Sequence, residues 1–289
     1  MVTRMVKRPG SDTRARVWAV DGEAVTRRAD RVATEEPLEI RLLIGSETRT
    51  LAVTMRTPGA DFELAAGFLY GEGVLTKHQD VKGISYCVDR NLDPEQLYNI
   101  VNVKLASGVV PDLRSLERHF YTSSACGVCG KASIDSLRLR GCPVMGQGLE
   151  VPADVLRSLP GKLREGQSIF SSTGGLHAAG LFDASGELLA VREDVGRHNA
   201  VDKLVGWALV NDRLPLSEYI LTVSGRTSFE IMQKALAAGI PIVCAVSAPS
   251  SLAVQVAKDF DMTLVGFLRG ERFNLYAGHE RVLLPALTT

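Results

Sequence analysis

The sequence predicts an α/β fold, and three observations in the last third of the chain support that prediction. Apolar runs typical of buried strands occupy residues 219–223, 242–246 and 262–268. Short turns rich in serine follow the first two runs. Segments with the apolar spacing of helices then follow those turns. Strands that alternate with helices of this length are typical of crossover connections between parallel strands.

Length and composition indicate an ordinary globular protein. The chain has 289 residues, is 45% hydrophobic and carries 33 basic and 33 acidic side chains, so it can bury a sizeable core and has no overall attraction for nucleic acid. It contains no run of 18 apolar residues that would cross a membrane. The amino terminus has no apolar segment of the secretory type, so we expect a cytoplasmic protein. In a reducing compartment its five cysteines are expected to be reactive, metal-binding or buried rather than paired in disulfides.

The first 120 residues are predicted to form a tail and a small subdomain. Residues 1–20 are basic and are predicted to be a flexible tail. Residues 21–120 are predicted to form an N-terminal α+β subdomain without obvious chemistry. Its elements are two strands joined by a tight turn, a short helix and a further strand, at residues 38–44, 50–55, 60–70 and 100–105.

Residues 121–289 are predicted to form the α/β core, which opens with the run YTSSACGVCGK. A helix over residues 132–140 and a hairpin over residues 178–191 precede the alternating region. Thr227 and Glu230 are predicted to form a capping box at the start of the helix that follows residue 226. The apolar stripes of the last two helices comprise Phe229, Met232 and Leu236 in one and Leu252, Val256 and Phe260 in the other.

The carboxyl ends of the predicted parallel strands are the expected place for a ligand, because α/β sheets bind ligands at that edge. Those ends carry Ser224-Gly225-Arg226, residues 247–251, and Arg269 with Arg272. Two serine-bearing turns before helices, followed by two arginines, favour a phosphate-bearing ligand. Neither a G-x-x-x-x-G-K-[ST] loop nor a G-x-G-x-x-G loop occurs, which excludes ordinary NTPases and NAD-dependent dehydrogenases.

Three ionisable residues could assist chemistry at this edge. His198 and Asp194 lie on the backward extension of the apolar helical stripe formed by Val201, Leu204 and Val205. One interpretation places them in a cleft at the start of the helix. The alternative is a helix that begins only after Gly196, so that Asp194 caps it and His198 is a turn residue. His177, in a loop of small residues, is open to the same two interpretations.

The pair Cys126-Gly-Val-Cys129 has four interpretations. A structural zinc site needs a second pair of ligands, and none follows. A zinc deaminase needs H-x-E and a proline before the first cysteine, both of which are absent. A dithiol of the thioredoxin type fits the spacing but belongs to a much smaller fold. The fourth interpretation is a persulfide carrier, in which one thiolate takes a sulfur atom and the second thiol helps to release it.

Four segments resemble a known family. The runs SSACGVCGKAS, VREDVGRHNAVDKLVG, SGRTSFE and APSSLAV closely resemble the formate dehydrogenase accessory sulfurtransferases, the FdhD family. The resemblance covers nearly everything after residue 30. It implies a three-layer, cytidine-deaminase-like core that lacks the zinc site and holds no structural metal. It also implies a cytoplasmic homodimer.

The resemblance further implies a function and a set of site residues. A cysteine desulfurase would load sulfur as a persulfide on Cys126, with Cys129 as its partner. The sulfur would pass to a molybdenum bis(molybdopterin guanine dinucleotide) cofactor, a substrate with GDP-like moieties, before the cofactor enters formate dehydrogenase. The contact with the guanine dinucleotide would map to Phe267, Leu268, Arg269, Gly270, Glu271 and Arg272. Neither a nucleic acid nor a membrane is expected as a partner.

Overall fold

The computed structural model describes residues 8–87, 89, 96–113, 130–146 and 148–284. Its first element is a hairpin of two antiparallel strands, β1 (Asp12–Asp21) and β2 (Ala24–Ala33). The prediction of a flexible tail over residues 1–20 is therefore wrong for the residues from Asp12 onward. Continuous pairing with β2, which the sequence alone does not reveal, satisfies the backbone of this segment in place of water.

A four-stranded sheet follows, and it confirms the elements predicted for this part of the chain. It has the order β4-β3-β6-β5, and the first two strands form the predicted hairpin. Helix α1 packs on one face of this sheet through Leu64 and Leu69. The bounds are β3 Glu36–Ile44, β4 Glu47–Arg56, α1 Asp61–Gly71, β5 Val81–Tyr86 and β6 Ile100–Leu105.

The main sheet has six strands in the order β13-β12-β11-β10-β8-β9. The three central strands β10, β11 and β12 are parallel, as predicted, whereas the other pairings are antiparallel. The sheet is therefore mixed. The strand bounds are β8 His177–Phe182, β9 Leu188–Asp194, β10 Ile220–Val223, β11 Ile242–Ala245, β12 Thr263–Arg269 and β13 Arg272–Ala277, and two short strands, β7 Val151–Pro152 and β14 Val282–Leu283, pair beside the sheet.

Helices cover both faces of the main sheet, so the core has three layers. Side chains alternate along β10: Leu221 and Val223 face one cluster of helices, and Ile220 faces the other. Helices α2, α5, α6 and α7 cover the first face, and α3 covers the second. The helix bounds are α2 Gly130–Leu139, α3 Ala153–Gly166, α4 Ser168–Thr173, α5 Arg197–Val210, α6 Phe229–Ala237 and α7 Ser251–Asp259. Among the described helices, none is both long and apolar enough to cross a bilayer.

A contact between two glycines joins the N-terminal sheet to the core. Gly67 of α1 faces the backbone of α5 at Asp202, and Gly206 of α5 faces the backbone of α1 at Glu63. A Cβ at either glycine would lie 1.8 Å from the facing carbonyl oxygen. The two helices therefore cross with their backbones in contact, which only glycine permits.

The predicted capping box at Thr227 and Glu230 is wrong. Helix α6 starts one residue later, with Ser228 as its N-cap, and no side chain caps it. Thr227 forms a β-bridge with Pro249, and its hydroxyl has no hydrogen-bond partner among the described residues. The extended backbone of Thr227 is bonded to the turn that follows the next strand, β11. Its side chain therefore cannot cap helix α6.

Candidate functional site

The three strand-end segments predicted to form a site do meet at one edge of the main sheet. The segment after β10 is bonded to the segment after β11, since the Thr227 amide donates to the Ala248 carbonyl at 3.3 Å and the Ser250 amide donates to the Thr227 carbonyl at 2.9 Å. The segment after β11 is in turn bonded to β12, where the Phe267 amide donates to the Ser247 carbonyl at 3.1 Å. Main-chain bonds thus fix the spacing of all three segments.

The turn Ser224-Gly225-Arg226 is fixed against the start of β8. The amide of Ala178 donates to the Ser224 hydroxyl at 2.9 Å, and the Ser224 amide donates to the Ala178 carbonyl at 3.0 Å. Gly225 lies against the ring of His177, so that a Cβ at Gly225 would be 3.2 Å from Nδ1 of the histidine. Arg226 is exposed. Ser224 therefore holds the turn in place, and the arginine is free to contact a ligand.

Asp194 is a structural anchor beneath this edge. Its carboxylate is fully buried and accepts from Lys203 Nζ at 2.7 Å, from the Thr57 amide at 3.1 Å, from the Gly196 amide at 2.8 Å and from Asn199 Nδ2 at 3.1 Å. Helix α5 begins after Gly196, as the second sequence interpretation expected, but Asp194 does not cap it, because Gly196 is the N-cap and no side chain caps the helix. Four donors fix this buried carboxylate, so Asp194 is committed to holding the fold.

His198 lies in the first turn of α5 and links it to the start of α6. Its Nε2 is 2.8 Å from Glu230 Oε2 and 3.1 Å from Ser228 Oγ. The hydrogen bond from the His198 side chain lowers the pKa of Glu230 to about 2, which keeps this partly exposed carboxylate charged. Glu230 thus turns toward the histidine instead of the helix backbone.

His177 is the third ionisable residue of the edge, and it lies at the first position of β8, opposite Asp194. Burial lowers its pKa, and the nearby Arg197 and His198 lower it further, against a smaller opposing effect of Asp194. The imidazole is therefore neutral at pH 7 and able to accept or to share a proton. The structure brings His177 and His198 to one place, although they are 21 positions apart in the sequence.

The predicted dinucleotide segment is a hairpin turn beyond the same edge. Arg269 and Arg272 are opposite each other in the backbone register of β12 and β13, with Gly270 and Glu271 in the turn between them. Both arginines are exposed. Phe267 has a φ of 53°, a strained conformation for a bulky residue, and its ring is 40% exposed. Leu268 is fully buried in the core beneath, so its side chain cannot contact a ligand. The ligand role predicted for this segment stays a prediction.

Cys126 and Cys129 lie outside the described residues. Of the cysteines that the structure describes, Cys142 and Cys244 are poorly suited to thiolate chemistry, because burial raises the pKa of both thiols. Helix α2 begins at Gly130, directly after Cys129, and packs Ile134 and Leu137 into the core. Within the described part of the chain, no group of three or more histidine, cysteine or acidic side chains is arranged to hold a metal ion.

Sequence reasoning missed two residues of this edge. Lys203 is buried as the partner of Asp194 and also donates to the Thr57 carbonyl at 2.8 Å. Arg197 opens α5 beside His177 and Gly225. Lys203 interrupts an otherwise apolar helical face, and that interruption was the available signal. Arg197 adjoins His198 in the sequence, and that adjacency is its sequence signal.

The fold and this edge define a three-layer α/β protein with a polar, histidine-bearing site where its parallel strands end. The family model described as the FdhD/NarQ family matches residues 33–283, and the chain belongs to that family. It is 54% identical over 276 residues to the "Sulfur carrier protein FdhD" of Streptomyces coelicolor, a match that covers 94% of this chain and 96% of the relative.

Two further comparisons agree with this membership. The "Sulfur carrier protein FdhD" of Mycobacterium tuberculosis is 50% identical over 271 residues, or 92% of this chain and 97% of the relative. A crystal structure of a putative formate dehydrogenase accessory protein from Desulfotalea psychrophila superposes with a TM-score of 0.71. It covers 94% of this chain and 99% of that chain at 24% identity, and it therefore supports the fold alone.

Proposed function

We propose that this chain is a sulfur carrier serving formate dehydrogenase, with Cys126 as the residue that holds the sulfur. The observation that carries the proposal is the 54% identity, over nearly the whole chain, to a protein named as a sulfur carrier. The sequence supplies two cysteines separated by two residues, in a run of glycine and other small residues. The donor that we propose is a cysteine desulfurase, which forms a persulfide on its own cysteine.

The chemistry is two successive thiol exchanges. The Cys126 thiolate attacks the outer sulfur of the donor persulfide, and the donor cysteine leaves as a thiolate, so that Cys126 becomes a persulfide. The Cys129 thiolate then attacks the inner sulfur of that persulfide. The outer sulfur leaves as sulfide with the bonding electron pair, and the two cysteines form a disulfide. An external thiol reductant returns them to the dithiol state.

We propose that the acceptor is a molybdenum bis(molybdopterin guanine dinucleotide) cofactor, bound as a substrate at the edge described above. The exposed Arg226, Arg269 and Arg272 supply cations for its phosphates, and the exposed ring of Phe267 offers a face on which a base can stack. The same proposal includes a cytoplasmic homodimer with a deaminase-like core. It assigns no structural metal to the protein.

Two other functions make different predictions about the cysteines. In a pure chaperone the protein would hold the cofactor without moving sulfur, and in a zinc-stapled protein the cysteines would bind a metal. We expect the purified chain, after incubation with a cysteine desulfurase and cysteine, to gain about 32 Da on Cys126, the mass of one sulfur atom on a thiol. Peptide mass spectrometry locates the adduct. An unmodified Cys126 beside an active desulfurase, or stoichiometric zinc by elemental analysis, would contradict the carrier function.

Charge reversal at the hairpin tests the dinucleotide contact. We expect Arg269→Glu with Arg272→Glu to weaken GDP binding by tenfold or more, on the order of the loss of one charge-assisted hydrogen bond. Isothermal titration calorimetry measures the change. Arg49→Glu is the matched control, because Arg49 is exposed on β4 and pairs only with Glu47 in the described structure. Equal GDP affinity in the double variant and the control would remove the hairpin from the site.

A further inference from the structure

Two partly buried side chains at the site edge, Arg197 and His177, have no hydrogen-bond partner in the described structure. The Nε of Arg197 is fully buried and has no hydrogen-bond acceptor there, and its guanidinium forms no ion pair with a described carboxylate. The ring of His177 is partly buried and likewise forms no hydrogen bond with a described residue. Burial removes water from such groups, so a partner is expected.

The carboxylates near this pair already have other partners. Asp194 is paired with Lys203 at 2.7 Å, and Glu230 is paired with His198 at 2.8 Å. Within the described part of the chain Arg197 therefore contributes a positive charge without a carboxylate partner, and Arg226 is exposed in the same turn as Gly225. Burial is the largest cause of the lowered pKa of His177, and the nearby Arg197 and His198 lower it further. A bound anion would relieve the repulsion.

The local backbone supplies further donors. Gly225 lies between the two side chains: a Cβ there would be 3.2 Å from His177 Nδ1 and 3.9 Å from Arg197 Cδ. No side chain caps α5 or α6, so the first-turn amides of both helices are available to a ligand. Thr227, which is 1% exposed, has a hydroxyl without a described partner at the turn between β10 and α6. Arg197, His177 and these donors therefore lie around the turn that contains Gly225.

We propose that Arg197 and His177 form a binding site for a tetrahedral oxyanion over Gly225, separate from the Arg269–Arg272 hairpin. Two kinds of ligand could supply this oxyanion. One is a phosphate group of a dinucleotide, and the other is the group of oxygen ligands on an oxidised metal. The site itself is independent of the sulfur-carrier function. Its assignment to the cofactor substrate rests on that proposed function.

The test follows the imidazole of His177 by NMR in the full-length protein with labelled histidine. In buffer without oxyanions we expect the pKa of His177 to lie below that of a free histidine, because burial and Arg197 lower it. We expect orthophosphate to raise it, because a bound dianion favours the imidazolium. We expect Arg197→Gln to raise the pKa of His177 without phosphate and to weaken the phosphate response by tenfold or more, on the order of the loss of one charge-assisted hydrogen bond. Arg197→Lys, which keeps the charge, should retain part of the response.

Arg213→Gln is the matched control, because Arg213 is exposed just beyond the opposite end of α5, and it should titrate as the wild type does. Molybdate and GDP distinguish the two sources: a His177 response to GDP supports a nucleotide phosphate, and a response to molybdate alone supports a metal–oxygen group. No response of the wild type to any of the three at millimolar concentration, or equal responses in Arg197→Gln and Arg213→Gln, would overturn the proposal. Sulfur loading on Cys126 is measured separately, so that failure of one proposal is distinguishable from failure of the other.

Discussion

Replacing Cys126 by alanine is expected to reduce formate dehydrogenase activity to the level of cells that lack this chain. The expected effect is complete because a carrier without its nucleophile has no alternative atom on which to hold the sulfur. The two described thiols whose pKa is raised by burial, Cys142 and Cys244, are poor substitutes, since the thiolate is the attacking form. The measurement is formate oxidation in extracts of a deletion strain complemented with the variant.

Cys142→Ala is the matched control, because it removes a partly buried free cysteine outside the proposed pair. It should support activity close to that of the wild type. The Cys126→Ala protein should also retain the thermal unfolding midpoint of the wild type and its affinity for GDP, so that a loss of activity cannot be attributed to misfolding. Normal formate dehydrogenase activity with Cys126→Ala would refute the carrier function. Cys129→Ala is expected to allow loading and to impair release.

Replacing Gly67 by alanine is expected to destabilise the protein strongly. Among the described glycines of α1 and α5, we expect only the equivalent change at Gly206 to have an effect of the same size. The added Cβ would lie 1.8 Å from the Asp202 carbonyl oxygen, a separation that forces the two helices apart. Overpacking of a core costs about 1–3 kcal/mol and occasionally more, and backbone on both sides of this contact leaves little room to relax. We expect a loss of about 3 kcal/mol or more in the free energy of unfolding, measured as a lowered thermal midpoint.

Gly161→Ala provides the control for the chemistry of the substitution. Gly161 lies inside α3, and a Cβ there would meet nothing within 4 Å. Alanine in an open helical position is favoured over glycine by about 0.5–1 kcal/mol, so this variant should be slightly more stable than the wild type. A Gly67→Ala protein as stable as Gly161→Ala would show that α1 and α5 do not cross as described.

Local sequence patterns predicted most individual elements, because the forces that form them act within a few residues. The strand at Ile100–Leu105 and the turn at Gly45 have the expected bounds, since β-branched runs and positive-φ glycines carry that information themselves. The predictions that are wrong concern positions whose local structure depends on a segment distant in the sequence. Asp12–Asp21 forms a strand because it pairs with β2, and Thr227 cannot cap α6 because its backbone is bonded to the segment after β11.

The sequence by itself determined the α/β class, the parallel order of β10, β11 and β12, the three strand ends that meet at one edge, and the family resemblance that points to the cysteine pair. Only the tertiary structure decided what the charged residues of that edge do. The sequence pattern of Asp194 predicts a possible assisting role, yet its burial beside Lys203 makes it an anchor. No sequence pattern singles out Arg197, yet its Nε is buried without a hydrogen-bond partner in the described structure. The physical reason is that the role of an ionisable group depends on which opposite charges and donors lie within a few ångströms, and those neighbours come from strands and helices far apart in the chain.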